Sequence, residues 1–365
     1  MPMKVLIIGG YGNFGRYISS QLAKDESIDI VIAGRSEEKA RSFAQSIDAD
    51  WAYLDIHKNL DEVLQSICPE IVIHTSGPFQ GQGYDVAQAC IRHKAHYIDL
   101  ADGREFVANI EQLDQTAKDA GVLVVSGASS VPCLTAVILD EYLPAFKSLE
   151  SIDYGIATAQ KTNPGLATTT AILDYAGKGF KTLCDGRFKT IYGWQDLAIR
   201  KYPKLGYRLL ANCDVPDLEI FPERYPDLKN IRFRAGLEVP FLHLGLWALS
   251  WLVRFNVLKS LKPFAKPFYE VGSLFNLFGS DRSGFHMEMT GTGLDDKLQT
   301  KIFYIITGSG HGPYIPCIPS ILLTRLLSGG TLKATGAQSC LDLISLGQYK
   351  QALSGLDIKF PKSLE

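Results

Sequence analysis

Lys4-Val5-Leu6-Ile7-Ile8-Gly9-Gly10-Tyr11-Gly12-Asn13-Phe14-Gly15 is the stretch from which the rest of the chain is read. Its first five residues form a short apolar run, the pattern of a parallel strand buried on both faces. Arg16–Lys24 then places Tyr17, Ile18 and Leu22 among polar residues at helical spacing. Gly10, Gly12 and Gly15 satisfy G-x-G-x-x-G in a strand–turn–helix setting, with Asn13 and Phe14 inside the turn. The first glycine permits a tight turn and the second lets a pyrophosphate approach bare backbone. The third lets the helix pack on the strand. Phosphates then rest on N–H groups at the positive end of the helix. A second strand at Ile28–Ala33 completes a βαβ unit, so the pattern predicts a dinucleotide site.

The end of that second strand discriminates between nucleotides. A site for NAD places Asp or Glu about 20 residues past the glycines, against the ribose 2′-hydroxyl. This chain has Ala33-Gly34-Arg35-Ser36 instead. A carboxylate repels a 2′-phosphate, whereas Arg35 can clamp it and Ser36 can add a hydroxyl donor. Ser36 is equally placed to N-cap a helix at Glu37–Ser46, and the two roles are compatible. NADP(H) is the expected cofactor.

At 365 residues the chain is long enough for two domains. Its net charge of −2, with no basic run, gives no nucleic-acid footprint. Seven cysteines without a C-x-x-C point to a reducing compartment rather than a disulfide framework. His93 and His96 lack a third ligand nearby, so no metal is expected. The chain opens directly on a strand, and the expected location is the cytoplasm.

Further strands are predicted at Asp50–Leu54, Ile71–Thr75, His96–Leu100 and Val122–Val125, with helices at Asp61–Ile67, Tyr84–His93 and Val107–Ala120 between them. In a doubly wound sheet, Asp55 and Ile56 then lie along the adenine edge, and Thr75, Ser76 and Gly77 lie by the nicotinamide ribose. His74 falls within an apolar strand and reads as a core residue. After Pro132 the period changes. Strands at Leu149–Thr158, Arg187–Trp194, Ile231–Leu237, Gly284–Thr290 and Leu298–Thr307, with a helix at Leu166–Tyr175, do not have an intervening helix for each, which predicts a mostly antiparallel sheet. A Pro-rich connection joins the second and third of these. Helices at Ile321–Leu327 and Ser339–Leu353 close the chain. The expected fold is α/β: a Rossmann doubly wound parallel sheet from residues 1–134 and 313–365, plus a second α+β domain over 135–312.

Taken together, the glycine loop, His74-Thr75-Ser76-Gly77-Pro78-Phe79-Gln80-Gly81, Ala89-Cys90, His96-Tyr97-Ile98-Asp99-Leu100 and Ser126–Pro132 resemble the saccharopine dehydrogenase-like NADP-binding family. The resemblance covers the first third of the chain; the remainder resembles bacterial members of that family. It implies a Rossmann domain, a second domain for substrate and dimer contacts, and pyridine-nucleotide oxidoreduction. It also implies that Gly10–Gly15, Ala33–Arg35 and Thr75–Gly77 line the cofactor, and that the protein is a homodimer.

Hydride chemistry requires the protein to orient the cofactor, exclude water and manage one proton. Loops at strand carboxyl ends supply candidates in Asp99, Asp102, Arg104, Ser126, Ser129 and Ser130; Asp102 and Arg104 can alternatively form a solvated local ion pair, and Ser129 and Ser130 can cap a helix. Thr168–Thr170, Trp194, Asp214, Asp217, His286 and His311 are second-domain candidates for the cleft. Gly9, Gly12 and Gly15 also fit the spacing of short-chain dehydrogenase relatives, but the only Tyr-x-x-x-Lys, Tyr225–Lys229, contains Pro226 and lies outside the nucleotide domain. Val239–Val253 is apolar for fifteen residues, short of the roughly 20 that span a bilayer, and reads as a buried or dimer-interface helix. Sharper alternatives are a lid over an apolar substrate, or a peripheral membrane contact through Val239–Leu274 with Lys259, Lys262 and Lys266 as its basic face. Two functions are open: a soluble NADP(H)-dependent oxidoreductase acting on a small or apolar C=N, C=O or C=C substrate, or a non-catalytic NADP(H)-binding protein whose second domain recognises a partner or membrane surface.

Overall fold

The computed structural model describes residues 2–162 and 165–362. The chain divides into two compact units, residues 1–137 with 314–352, and residues 138–313 with 353–365.

The first unit alternates strand and helix: β1 (Met3–Ile8), α1 (Asn13–Leu22), β2 (Ile28–Gly34), α2 (Glu37–Ser46), β3 (Asp50–Tyr53), α3 (Leu60–Ile67), β4 (Ile71–His74), α4 (Asp85–Arg92), β5 (His96–Asp99), α5 (Arg104–Ala108), α6 (Asp114–Ala120) and β6 (Leu123–Ser126). The predicted Val107–Ala120 helix is thus broken into α5, a 3-10 turn at Ile110–Leu113, and α6. Val5, Leu6 and Ile7 are fully buried, as their unbroken apolar run requires of a central strand. Helix α7 (Thr135–Tyr142) follows.

The second unit contains β7 (Phe146–Ala157), α8 (Gly165–Tyr175), β8 (Gly179–Cys184), β9 (Arg187–Tyr192), β10 (Ala198–Tyr202), β11 (Gly206–Asn212), α9 (Asp217–Arg224), β12 (Asn230–Gly236), α10 (Pro240–Arg254), α11 (Ala265–Leu274), β13 (Ser283–Gly293) and β14 (Leu298–Thr307). The chain ends with α12 (Ile318–Ser328), β15 (Gly336–Ser339), α13 (Leu346–Ala352) and β16 (Ile358–Lys359).

The first sheet runs β15-β6-β5-β4-β1-β2-β3 and every pairing in it is parallel. Strand order therefore reverses between β1 and β4, the switch point at which a doubly wound sheet opens a ligand crevice at its carboxyl edge. The second sheet runs β10-β11-β12-β7-β13-β14-β16 and is antiparallel except where β12 lies parallel to β7. This is the α/β architecture with a mostly antiparallel α+β unit that the sequence predicts.

Beyond the broken Val107–Ala120 helix, the structure differs from the sequence reading in three further places. Ser339 ends a strand, and the helix expected over Ser339–Leu353 occupies only Leu346–Ala352. The last residues group with the second unit, because β16 adds to the edge of β14; residues 363–365 lie outside the described residues. The Pro-rich connection holds a β10–β11 hairpin and α9.

Helix α10 has two apolar sides. His243, Leu246, Ser250 and Val253 are buried, packing with Trp194, Ala211 and Leu261, whereas Phe241, Leu244 and Leu252 face solvent. It is therefore buried along one stripe only. Among the described residues no helix is long and apolar enough to cross a membrane.

Candidate functional site: the carboxyl edge of the parallel sheet

The glycine loop joins β1 to α1, and its geometry accounts for each glycine separately. Gly9 has φ of +79°, and a Cβ there would lie 2.6 Å from Ser76 Oγ and 2.7 Å from Thr75 Oγ1. The glycine loop and the β4 exit loop are thus in contact, which Thr75 reinforces by donating its hydroxyl to the Ile8 carbonyl at 2.9 Å. A Cβ on Gly15 would stand 2.3 Å from the Gly9 carbonyl oxygen, so only glycine lets α1 seat against the loop. At Gly12 a Cβ would meet nothing closer than the Gly9 oxygen at 3.1 Å. Glycine here avoids that one tight contact and leaves the backbone open to whatever approaches.

These residues fit a bound pyrophosphate. Gly12 is the N-cap of α1 and contributes no side-chain cap, and no acidic residue stands in the first turn to repel an anion.

The β2 exit is tied to the same loop. The Tyr11 ring lies over Gly34, where a Cβ would approach it to 2.6 Å, and its hydroxyl accepts the Ser36 N–H at 2.9 Å. Arg35 is exposed and, among the described residues, has neither a carboxylate partner nor a hydrogen bond. Ser36 Oγ caps α2 by accepting the Lys39 N–H at 3.4 Å. Arg16, by contrast, is engaged: its Nε donates to the Tyr11 carbonyl and its guanidinium lies 4.7 Å from the Phe43 ring centre. Asp55 accepts the His57 N–H at 3.2 Å and takes part in the turn before α3, with Ile56 beside it.

The β5 and β6 exits meet through Asp99. This fully buried carboxylate accepts the Ala101 N–H at 2.9 Å, the Gly127 N–H at 2.8 Å and the Ser126 hydroxyl at 3.0 Å, all on one oxygen. It thereby fixes both the loop carrying Asp102 and the loop carrying Ser129. Burial outweighs those bonds and pushes its pKa up to about 6. His74 is buried, its Nδ1 lies 3.1 Å from the Tyr97 hydroxyl, and burial lowers its pKa to about 4, leaving it neutral near pH 7.

Asp102 accepts a hydrogen bond from Gln80 Nε2 at 3.1 Å, and burial raises its pKa. Arg104 opens α5. Ser129 is buried, and among the described residues no side-chain hydrogen bond joins it to Asp102. Gln80 and Tyr11, which hold Asp102 and Ser36, are not singled out by sequence reasoning. The signal for Tyr11 is a glycine at the facing strand end; none exists for Gln80.

The second-unit candidates have structural roles. Trp194 is buried and donates to the His243 carbonyl at 3.3 Å. His286 is buried, with Nδ1 2.8 Å from the Tyr202 hydroxyl and Nε2 3.6 Å from Asp153. His311 Nδ1 accepts the Asp357 N–H at 2.8 Å. Thr169 and Thr170 donate to carbonyls one turn back in α8. Asp217 is buried in the first turn of α9. His93 faces Asp61 at 3.0 Å, and His96 Nδ1 accepts the Leu123 N–H.

Comparison with known proteins agrees with this geometry. Residues 5–125 match the model of the saccharopine dehydrogenase NADP binding domain. A lipid droplet localized protein of Caenorhabditis elegans is 28% identical over 143 residues, 35% of this chain and 34% of that protein. A trans-acting enoyl reductase of Mycobacterium leprae is 26% identical over 137 residues, 35% of this chain and 33% of that one. The alignments thus span about a third of these relatives' length. Among solved structures, saccharopine dehydrogenase (L-Glu forming) of Saccharomyces cerevisiae superposes with a TM-score of 0.68 at 14% identity, covering 98% of this chain and 99% of that one. Homospermidine synthase of Legionella pneumophila gives 0.60 at 11% identity, covering 100% and 92%. Both share the fold over nearly the whole length. Residues 5–125, the nucleotide-binding part of this chain, thus match the saccharopine dehydrogenase NADP binding domain and form a site for NADP(H).

Proposed function

We propose that the protein is an oxidoreductase that prefers NADPH to NADH and transfers hydride to or from a small or apolar C=N, C=O or C=C substrate. The observation that carries this reading is the pairing of a bare glycine loop with an exposed, unpartnered Arg35 at the end of β2. A guanidinium there suits a 2′-phosphate, and no carboxylate stands in its place to favour a 2′-hydroxyl. The enoyl reductase activity in the names of the mycobacterial relatives supports C=C as one of the three classes.

The cofactor, when bound, supplies or accepts the hydride. The chain supplies the rest. Gly10, Gly12, Asn13, Phe14 and Gly15 cradle the pyrophosphate; Arg35 and Ser36 hold the 2′-phosphate. Asp55 and Ile56 border the adenine, and Thr75, Ser76 and Gly77 border the nicotinamide ribose. Asp102, its proton affinity raised by burial and its carboxylate oriented by Gln80, holds the proton that the substrate gains or loses. Arg104 orients substrate, and Ser129 offers a hydroxyl from the neighbouring loop. A homodimer is part of this reading, and light scattering checks it.

The test is NADPH oxidation in the presence of imines, keto acids and enoyl thioesters. Turnover with one class, lowered at least a hundredfold by Asp102→Asn with NADPH affinity retained, is the expected result. Tight NADPH binding without turnover on every class would replace it with the non-catalytic reading.

A further inference from the structure

Ten large apolar side chains between Phe241 and Phe278 are exposed, which is more than half of all such residues on the described chain. They are not scattered. Phe241, Leu244, Leu252 and Phe255 recur at helical spacing along the outer stripe of α10, opposite the stripe that packs on the second unit. Phe241 lies edge-on to Phe275 at 4.7 Å, and Phe275 neighbours Phe278 at 6.3 Å, so the start of α10 and the segment after α11 form one continuous surface. Leu274, Leu277 and Phe278 are 71%, 89% and 72% exposed, protruding further than scattered surface apolar residues need to.

We propose that this face docks on an anionic lipid surface, with α10 and α11 lying in the plane of the headgroups.

Three observations select that occupant. Between Val239 and Gly279 there are four cations (Arg254, Lys259, Lys262 and Lys266) and one carboxylate, Glu270, although the whole chain is net negative. Lys262 and Lys266 make only loose pairs, at 3.6 Å to the partly buried Asp174 and 3.9 Å to the exposed Glu270, and both ammonium groups remain on the surface. The second observation concerns self-association. A two-fold contact would set this cationic face against its own copy, and like charges brought together oppose binding. The third is length. Fifteen residues of α10 extend roughly 22 Å, shorter than the hydrocarbon core of about 30 Å, so the helix lies on a bilayer and does not cross it. Phe255, 68% exposed, stacks on Trp251 at 5.5 Å and so extends the apolar face past the end of α10.

The experiment is flotation of the full chain with phosphatidylcholine vesicles and with equimolar phosphatidylcholine–phosphatidylserine vesicles. The protein is expected to float with the mixed vesicles and at least tenfold less with the neutral ones. Lys259→Glu with Lys266→Glu should lower partitioning by about fivefold or more for each lysine replaced. Leu274→Asp, Leu277→Asp and Phe278→Asp together should abolish it. All five side chains are exposed, so each variant should keep the wild-type melting temperature and circular dichroism. Failure to float with either vesicle, or equal binding to both, overturns the proposal. So does a dimer that the triple substitution splits, seen by light scattering, while vesicle binding is unchanged.

Discussion

Replacing Arg35 separates the 2′-phosphate reading from every other account of the crevice. The side chain is exposed and bonded to nothing among the described residues, so its removal leaves no buried group unpaired and should change unfolding free energy by less than about 0.5 kcal/mol. Any larger effect must then be on the bound nucleotide. A charge-assisted hydrogen bond contributes roughly 1.5–3 kcal/mol, and solvent screening at an exposed site selects the lower end. Arg35→Ala should therefore raise the Kd for NADPH about tenfold and leave that for NADH unchanged. Arg35→Asp adds repulsion toward the phosphate and an acceptor for a 2′-hydroxyl, so preference should reverse. Titration calorimetry at low and high ionic strength reads both effects, and the wild-type preference should shrink with salt. Arg16→Ala is the control: that guanidinium is occupied by the Tyr11 carbonyl and the Phe43 ring, so its loss should not discriminate between nucleotides. Equal affinity of the wild type for both nucleotides, or an equal loss of both in Arg35→Ala, would refute the reasoning.

Two glycines of one loop should fail in different ways. Gly15→Ala brings a Cβ against the Gly9 oxygen and the Gly10 backbone and should lower stability by about 1–3 kcal/mol as well as weakening binding; Gly12→Val, whose Cβ meets only the Gly9 oxygen at 3.1 Å, should lower the melting temperature less while losing stabilisation by either nucleotide, both readable by thermal shift. Asp99 gives a pH signature. Its folded pKa of about 6 exceeds the unfolded value of 3.8, so its contribution is present below about pH 4 and is lost as pH rises through 6, by about 3 kcal/mol. The difference in urea stability between wild type and Asp99→Asn should move by that amount over this window, against the wild type at the upper end. His74 acts in the opposite sense: with a folded pKa of about 4 against 6.5 unfolded, it contributes fully above pH 6.5 and loses that contribution as pH falls toward 4. A replacement such as His74→Gln should accordingly reduce the acid sensitivity of unfolding.

The first unit was legible because its signals are local. An apolar run, a glycine turn and a helical stripe each depend on neighbours in sequence, and their repetition predicts the parallel sheet up to β6. Strand β15, Gly-Ala-Gln-Ser, carries no hydrophobic period; its backbone pairing with β6 and the Asp114 side chain accepting the Ala337 N–H define it, and both partners lie more than two hundred residues upstream. The β10–β11 hairpin was obscured by the prolines around it, and Pro203 sits in its turn. In the crevice the glycines and Arg35 were readable from motif chemistry. Asp99 reads in sequence only as one more candidate proton-handling group, because a carboxylate closing a β5 strand reveals nothing about the two loops it fastens. The exposure of the outer α10 stripe was equally hidden: an apolar fifteen-residue helix has the same sequence whether one side or both are covered.

The late arrival of β15 has a consequence for synthesis. Six strands of the nucleotide-binding sheet have been synthesised once residue 126 is made, but the strand that covers the flank of β6 comes about two hundred residues later. At 5–20 residues per second that interval is on the order of 10–40 s. Throughout it β6 presents an unpaired row of amides and carbonyls to any passing polypeptide. Nascent chains of this protein should therefore engage chaperones most strongly in that window, and truncation just before residue 336 should yield aggregates in place of a competent nucleotide-binding unit.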